Sequence, residues 1–169
     1  MPARLMLVPK EPGQIRRVLR GLAAIPARLT DTDLQQIGDS VRAGIWRTFE
    51  NEGAAPRKWA RLAPFTVKDR IEKGFPGEHP ILFRTGSLEA SWIERSHPLH
   101  NQFVKRTATG LELSVGSEDD RVPILTLGSL VMHMPPRPMH EISDADVERV
   151  AQRTESVVAY RAEQVGRSL

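Results

Sequence analysis

The side chains best suited to chemistry fall in two short stretches of this sequence. His97 and His100 are three positions apart, a spacing at which two imidazoles can share a metal ion. Pro98 interrupts the stretch, and no third ligand type stands beside it in the sequence. The second stretch is the carboxylate run at residues 118–120, and like charges clustered in a turn are usually solvated. We therefore predict no metal site and no catalytic residues.

Four common catalytic and nucleotide-binding sequence patterns are also missing. The chain has no H-E-x-x-H, no G-x-S-x-G, no P-loop and no dinucleotide fingerprint. None of its 169 residues is cysteine, which excludes disulfides, thiol nucleophiles and thiolate metal sites and fits folding in a reducing cytoplasm. No stretch approaches the roughly 18 apolar residues of a membrane span. We expect a soluble protein that is not an enzyme, uses no cofactor and has no membrane partner.

Positive charge is concentrated in two regions, although the net charge is only +3. Residues 1–30 contain six cations against one acid, and a second basic stretch follows Pro56. Such patches attract phosphates or acidic protein surfaces, whereas the simpler alternative is a solvated charged face. The cations that we expect at an interface are Arg16, Arg17, Arg20, Arg57, Lys58 and Arg61.

The elements that must position these side chains are predicted from hydrophobic spacing. A long helix is expected from a cap at Thr30, Asp31 or Thr32 up to Gly53, because apolar residues recur there at three- and four-residue steps. This stripe consists of Leu34, Ile37, Val41, Ile45, Trp46 and Phe49. Residues 66–73 predict a short helix, and Ser143 is expected to cap a final one with Asp144 and Asp146 in its first turn.

The remaining segments predict a hairpin and several connections. Strands are expected over residues 102–107 and 111–115 around Thr109-Gly110, and residues 75–80 predict an exposed connector. One helical turn is expected at residues 87–91, with Trp92 and Ile93 beginning a strand. The turn at residues 116–120 leads to the apolar run 122–130, which is interrupted by Pro123 and Gly128 and to which we assign no element. Residues 14–29 predict a short amphipathic helix, or an arm that docks on a neighbouring subunit.

Together these elements predict an α+β fold in which a small antiparallel β-sheet packs against a long helix, with a C-terminal helix. Residues 31–169 are expected to form this single domain. Residues 1–30 would then be an extended basic N-terminal arm or a short helix.

Three widely spaced motifs occur in a distinctive order along the chain. Their positions are Trp59, Leu62, Thr66 and Lys68, then Leu82, Thr85, Gly86, Leu88 and Ser91, and finally Gly128 followed by Arg137 and Pro138. This order and spacing resemble the phage virion morphogenesis family, the tail completion proteins of tailed bacteriophages. Near Gly128 the sequence keeps the glycine of the family pattern but lacks the aromatic residue and the histidine that commonly precede it.

The resemblance implies a structural virion protein of the phage neck, assembled in the cytoplasm of the host bacterium. Tail completion proteins finish the tail and help to join it to the DNA-filled head. We expect a homo-oligomeric ring of six subunits between the tail tube, with its terminator protein, and the connector or adaptor proteins of the head. The loops at residues 57–61 and 76–80 and the N-terminal arm would contact adjacent rings. Basic side chains facing a channel would also touch DNA without sequence preference.

Two alternative functions remain open at this point. A tail terminator would cap the tail tube and fix its length. A basic nucleic-acid-binding module would use Trp59, which lies between cations, to stack on a base. We favour the interpretation that Trp59 instead anchors its loop to the hydrophobic core.

Overall fold

The architecture was obtained as a computed structural model that describes residues 29–107 and 110–166. Within these ranges the chain forms five helices and one two-stranded antiparallel sheet. The elements are α1 (Asp31–Glu50), α2 (Pro64–Glu72), α3 (Ser87–Ile93), β1 (His100–Thr107), β2 (Gly110–Ser117), α4 (Arg121–Leu127) and α5 (Asp144–Gly166). The predicted α+β class is confirmed: the sheet, α3 and the C-terminal helix α5 all pack against α1. The helix predicted at residues 14–29 and the arm predicted at residues 1–30 lie outside the described residues up to position 28.

Helix α1 begins at a capping box. Thr30 Oγ1 accepts a hydrogen bond from the backbone N–H of Asp33 at 3.3 Å, and Asp33 Oδ2 accepts one from the N–H of Thr30 at 2.8 Å. The predicted stripe is buried except for Trp46, which is 44% exposed. Trp46 was wrongly included, because it follows Ile45 directly and each residue turns a helix by about 100°.

Helix α5 packs antiparallel to α1, and ion pairs join the two helices near both ends. Ser143 Oγ accepts the backbone N–H of Asp146 at 3.2 Å, which confirms the predicted cap. Arg47 on α1 lies 2.6 Å from Asp146, and Arg161 near the end of α5 lies 2.7 Å from Asp33. Between these ion pairs the buried Val150 and Val157 and the partly buried Val158 belong to the core. The two long helices are therefore joined by apolar packing flanked by charge pairs.

The two strands form the predicted hairpin. Their register runs from His100 opposite Ser117 to Thr107 opposite Gly110. Both strands are longer than predicted, since β1 begins two residues earlier and β2 ends two residues later. Val115 is fully buried, and β2 contacts both α1 and α3. The sheet thus covers one side of α1.

Two segments differ from the sequence-based predictions. Trp92 and Ile93 do not begin a strand, because they complete α3, where the indole of Trp92 is 2% exposed in the core. Burial inside a tertiary core outweighs the local β-propensity of these residues. The apolar run after residue 121 forms helix α4, and Pro123 lies in its first turn, where a missing backbone N–H breaks no helical hydrogen bond.

Candidate assembly surface

The guanidinium of Arg137 links two of the sequence motifs. Its Nε and Nη2 atoms each donate to the carbonyl oxygen of Ala60 at 3.1 Å, and Nη2 also donates to that of Arg61 at 3.1 Å. The backbone N–H of Arg137 donates to Leu125 O at 2.7 Å. Arg137 is buried, and burial lowers the pKa of its guanidinium, although arginine stays protonated in proteins. The buried cation of Arg137 therefore holds the loop at residues 60–61, while the backbone of the same residue is bonded to helix α4.

A second buried arginine holds the connector that follows α2. Arg70 Nη2 donates to Pro80 O at 3.1 Å and to Phe83 O. On the other side, Glu52 Oε1 accepts the backbone N–H of Ile81 at 2.8 Å. Of the connector predicted to be exposed, residues 76, 79 and 80 are exposed and residues 75, 77 and 78 are partly buried, whereas Ile81 is buried in the core. The side chains of Arg70 and Glu52 thus fix the end of the connector at residues 75–80 by hydrogen bonds to its backbone carbonyl and N–H groups.

Trp59 lies in the core, as the sequence interpretation favoured. It is 7% exposed, and its ring meets that of Phe49 edge to face at a centroid distance of 5.5 Å. Its backbone N–H donates to Glu52 O at 2.7 Å. The backbone at residues 57–59 passes close to Gly53. Only glycine fits at this position, because a Cβ there would lie 2.4 Å from Arg57 O. Trp59 is therefore not available to stack on a nucleic-acid base.

The other motif residues divide into buried and surface positions. Ser91 Oγ donates to Leu88 O at 2.6 Å and accepts a hydrogen bond from Ser117 Oγ at 2.7 Å, so it fastens α3 to β2. Gly86 precedes α3 with φ +80. Leu88 is buried; Leu62, Leu82, Gly86, Gly128 and Pro138 are partly buried; Thr66, Lys68 and Thr85 are exposed. Most of the motif positions thus shape the fold.

The predicted basic interface is divided between described and undescribed residues. Arg57, Lys58 and Arg61 are all exposed on the loop between α1 and α2. Lys58 Nζ donates to Asn51 O at 2.5 Å, and Arg61 Nε lies 3.7 Å from Glu78. The loop therefore presents cationic side chains at the surface while Trp59 anchors it from beneath. Arg16, Arg17 and Arg20 lie outside the described residues.

Sequence reasoning missed an exposed apolar turn at residues 128–134. Backbone bonds of 2.8 Å in both directions between Ser129 and Met134 close it. Between these two residues the side chains project outward: Leu130 is 95% exposed, Val131 91% and Met132 57%. Covering each of them would contribute about 1.5–3 kcal/mol. The signal in the sequence is an apolar run that continues past a helix-ending glycine.

The glycine at the base of this apolar turn is required by its geometry. Gly128 has φ +73, and a Cβ there would lie 2.6 Å from Met134 O. The backbone is thus folded tightly at the base, with Arg137 fixed a few residues further on. The apolar turn is held by the backbone and does not depend on burying its own side chains.

A second apolar feature is an open groove along α2, with a volume of about 580 Å³. We call it the α2 groove, and it is lined by Leu62, Pro64, Val67, Lys68, Ile71, Glu72 and Glu78. Ile71 is 60% exposed on it, and Phe65 from the same helix is 80% exposed. Lys68 lies 3.7 Å from Glu72 on the rim. The groove offers an apolar floor with a charged rim.

The two stretches considered for chemistry form local contacts. His97 Nδ1 accepts the backbone N–H of Leu99 at 3.2 Å, and His100 Nδ1 bonds Ser91 O at 3.2 Å. Burial lowers the pKa of His100, which favours the neutral imidazole. Asp119 is held by Arg121 at 2.5 and 2.8 Å, and these hydrogen bonds lower the pKa of its carboxyl group.

The residues described contain no group of three histidine, aspartate or glutamate side chains arranged to hold a metal ion. None of the helices they form is both long and apolar enough to cross a membrane. The chain matched no protein-family model, no curated protein and no solved structure. By its own fold the molecule is a small α+β protein with an exposed apolar turn, an apolar groove and a basic loop.

Proposed function

We propose that this protein is a structural subunit of a bacteriophage neck, a tail completion protein that forms a ring at the head–tail junction and joins the tail to the head. The proposal rests on the motif order in the sequence together with the way those motifs pack. In this proposal the protein acts by binding and performs no turnover.

The observation that carries the proposal is the Arg137 contact. Arg137 of the late proline-rich motif donates three hydrogen bonds to the carbonyl oxygens of Ala60 and Arg61, which directly follow Trp59 in the first motif. These acceptors lie 77 and 76 positions earlier in the chain. The stretch containing Leu88 and Ser91 packs into the same core. A structural plan shared with the family that the motifs resemble would require these motifs to pack together in one domain, and they do. Their contact supports a shared structural plan.

The surface features fit a role in assembly. The apolar turn and the α2 groove leave large side chains uncovered, and exposed apolar patches of this kind mark protein–protein contacts. The exposed cations of the basic loop would meet acidic surfaces of neighbouring rings or the DNA passing through them. The buried position of Trp59 removes the stacking platform that favoured a nucleic-acid-binding module.

Electron microscopy of particles assembled without this protein tests the proposal. We expect filled heads beside separate tails of normal length, because joining would fail after the tail is complete. Overlong tails would instead identify a tail terminator. Normal infectious particles would overturn both assignments, and restoring the protein from a plasmid is the control.

A further inference from the structure

The basic loop, which we define as residues 54–61 between α1 and α2, presents charge without an apolar contact surface. Its cations Arg57, Lys58 and Arg61 are exposed, and its exposed apolar side chains are limited to alanine and proline. From position 53 to position 68 the sequence has no aspartate or glutamate. A typical protein–protein interface has an apolar centre inside a polar rim, and this loop supplies no such centre.

Carboxylates compensate the three exposed charges of the loop only in part. Lys58 Nζ donates to the carbonyl oxygen of Asn51, a neutral acceptor that leaves the ammonium charge unpaired. Arg61 is 84% exposed and lies 3.7 Å from Glu78, so solvent and salt screen this ion pair. No carboxylate of the described residues forms an ion pair with Arg57. Two of the three cations therefore have no counter-charge in the part of the chain that is described.

A buried cation lies beneath the same loop. Arg137 is 4% exposed, and its guanidinium donates to the carbonyl oxygens of Ala60 and Arg61, which are neutral acceptors. Burial lowers the pKa of Arg137, and no carboxylate among the described residues raises it. A buried charge without a counter-ion is unfavourable, so an anion above the loop would be stabilised by this cation as well. Arg137 thus adds to the positive potential of the loop.

The loop has no aromatic side chain free to stack on bases. Its one aromatic residue, Trp59, is buried against Phe49. Proteins that hold single strands combine cations with exposed aromatic rings, whereas contacts to the phosphates of a duplex need cations alone. Trp59 and the hydrogen bonds from Arg137 also fix the loop before a partner arrives, so binding costs little ordering.

We propose that the basic loop binds the phosphodiester backbone of double-stranded DNA, with Arg57, Lys58 and Arg61 as the side chains that contact phosphates. Arg137 supports the contact from beneath without touching the DNA. Because phosphates carry no sequence information, the binding is independent of base sequence. The inference rests on the proposed function, in which DNA passes the neck, and it chooses DNA over an acidic protein surface as the partner of this loop.

Fluorescence anisotropy of a short labelled duplex, titrated with the full-length protein, tests the inference. The titration is repeated at NaCl concentrations from about 50 to 200 mM and with a second duplex of unrelated sequence, which should bind equally well. Combining Arg57→Gln, Lys58→Gln and Arg61→Gln should reduce the steepness of log K against log[NaCl] by about 2.7, because each phosphate contact contributes about 0.9. Each single substitution should reduce it by about 0.9, so the test does not depend on the triple variant alone.

A matched variant controls for the loss of positive charge in general. Lys73→Gln, Arg95→Gln and Arg153→Gln together remove three exposed cations outside the loop. This variant should reduce the steepness by less than about 0.9, the contribution of one phosphate contact. An equal reduction in both triple variants would overturn the inference. A loop variant with the salt dependence of the wild type would also overturn it, since the DNA would then be held elsewhere on the chain.

Competition with poly-L-glutamate distinguishes DNA from an acidic protein surface. Duplex DNA carries one charge per about 1.7 Å of its axis, whereas an extended polypeptide places residues about 3.3–3.6 Å apart. The denser array of charges should be held more tightly by a fixed cluster of cations. Poly-L-glutamate at an equal concentration of charges should therefore displace less than half of the duplex. Complete displacement would overturn the choice of DNA and favour an acidic protein partner.

These outcomes are separate from those of the neck assignment, because they are measured on the isolated protein. Normal infectious particles in its absence, together with DNA binding that depends on the loop, would reject the neck role and leave the DNA contact standing. Separate heads and tails in the deletion, together with an unchanged salt dependence of the loop variant, would reject only the DNA contact.

Discussion

Arg47 and Asp146 join α1 and α5, the first and last helices of the described residues, across 99 positions of sequence. Arg47 Nε donates to Asp146 Oδ1 at 2.6 Å, and the carboxylate is 4% exposed. Arg149 donates to the same oxygen at 2.7 Å, while Ser143 Oγ donates to Oδ2 at 2.5 Å. Burial alone raises the pKa of Asp146, but the hydrogen bonds from Ser143 and Arg47 and the charge of Arg47 outweigh it, so the pKa is lowered.

Replacing Asp146→Asn should destabilise the fold by about 2 kcal/mol, because two guanidinium groups lose their charged acceptor. Asparagine has nearly the same size as aspartate, so the loss of stability measures the removal of the charge more than a change in packing. Urea unfolding followed by circular dichroism measures it. Asp144→Asn, at an exposed position in the same first turn, should change stability by less than about 0.5 kcal/mol. Equal effects of the two substitutions would show that the Arg47 contact contributes little.

Stability should fall in two stages as the pH decreases. Burial lowers the pKa of His100 and His140 below the ordinary 6.5, so the unfolded chain takes up protons first and stability declines from about that pH. Asp33, Asp119 and Asp146 have pKa values below the ordinary 3.8, so their contribution is complete above that pH and is lost as the pH falls through the folded-state values. Urea midpoints measured from pH 8 to 2.5 should show both declines.

Glu89 should act in the opposite direction. Burial and the neighbouring Glu50 and Glu94 raise the pKa of Glu89, so its favourable contribution is present at low pH and is lost as the pH rises through the folded-state value. Glu89→Gln should therefore stabilise the protein most at neutral pH.

The two-stage decline has its own test. A uniform decline of stability with falling pH, unaffected by His100→Gln, would contradict the assignment of the first stage to the buried histidines.

Removing the guanidinium of Arg137 should destabilise the fold by about 2–4 kcal/mol, because the carbonyls of Ala60 and Arg61 lose their donors. Arg137→Met keeps most of the apolar stem, so it isolates the loss of hydrogen bonding. Arg137→Lys should recover part of the loss, since an ammonium group reaches fewer of the acceptors. Thermal unfolding compares the two variants. A methionine variant as stable as the wild type would mean that the two motifs do not depend on this contact.

Charge reversal on the basic loop should reduce the yield of joined particles without unfolding the protein. Arg57 and Arg61 are exposed, so the double variant Arg57→Glu with Arg61→Glu leaves the core intact. The double variant Lys73→Glu with Arg153→Glu makes the same change in charge on other exposed positions and is the matched control. Complementation of the deletion, scored by particle counts, is the measurement. Wild-type yield from the Arg57/Arg61 variant would remove this loop from the interface.

Local pattern predicted the elements with strong periodicity or clear caps. The long helix, the hairpin and the Ser143 cap follow from nearby residues, because helical spacing, alternation and side-chain capping act over a few positions. The same reasoning failed for Trp92, Ile93 and the run after residue 121, where burial and the position of Pro123 decide the conformation. Short apolar segments fit either a helix or a strand until their neighbours in space are known.

By itself the sequence determined the absence of cysteine chemistry and predicted the α+β class, since both depend on residue types and short-range spacing. It favoured an anchoring role for Trp59, and the tertiary structure decided between that role and base stacking. The tertiary structure alone decided that Arg137 binds the loop after Trp59, that Arg47 meets Asp146 and that Leu130, Val131 and Met132 remain uncovered. These are contacts, or missing contacts, between positions far apart in the chain. Which of these contacts form depends on how the helices and loops pack into one core. The pattern of neighbouring residues in the sequence does not show it.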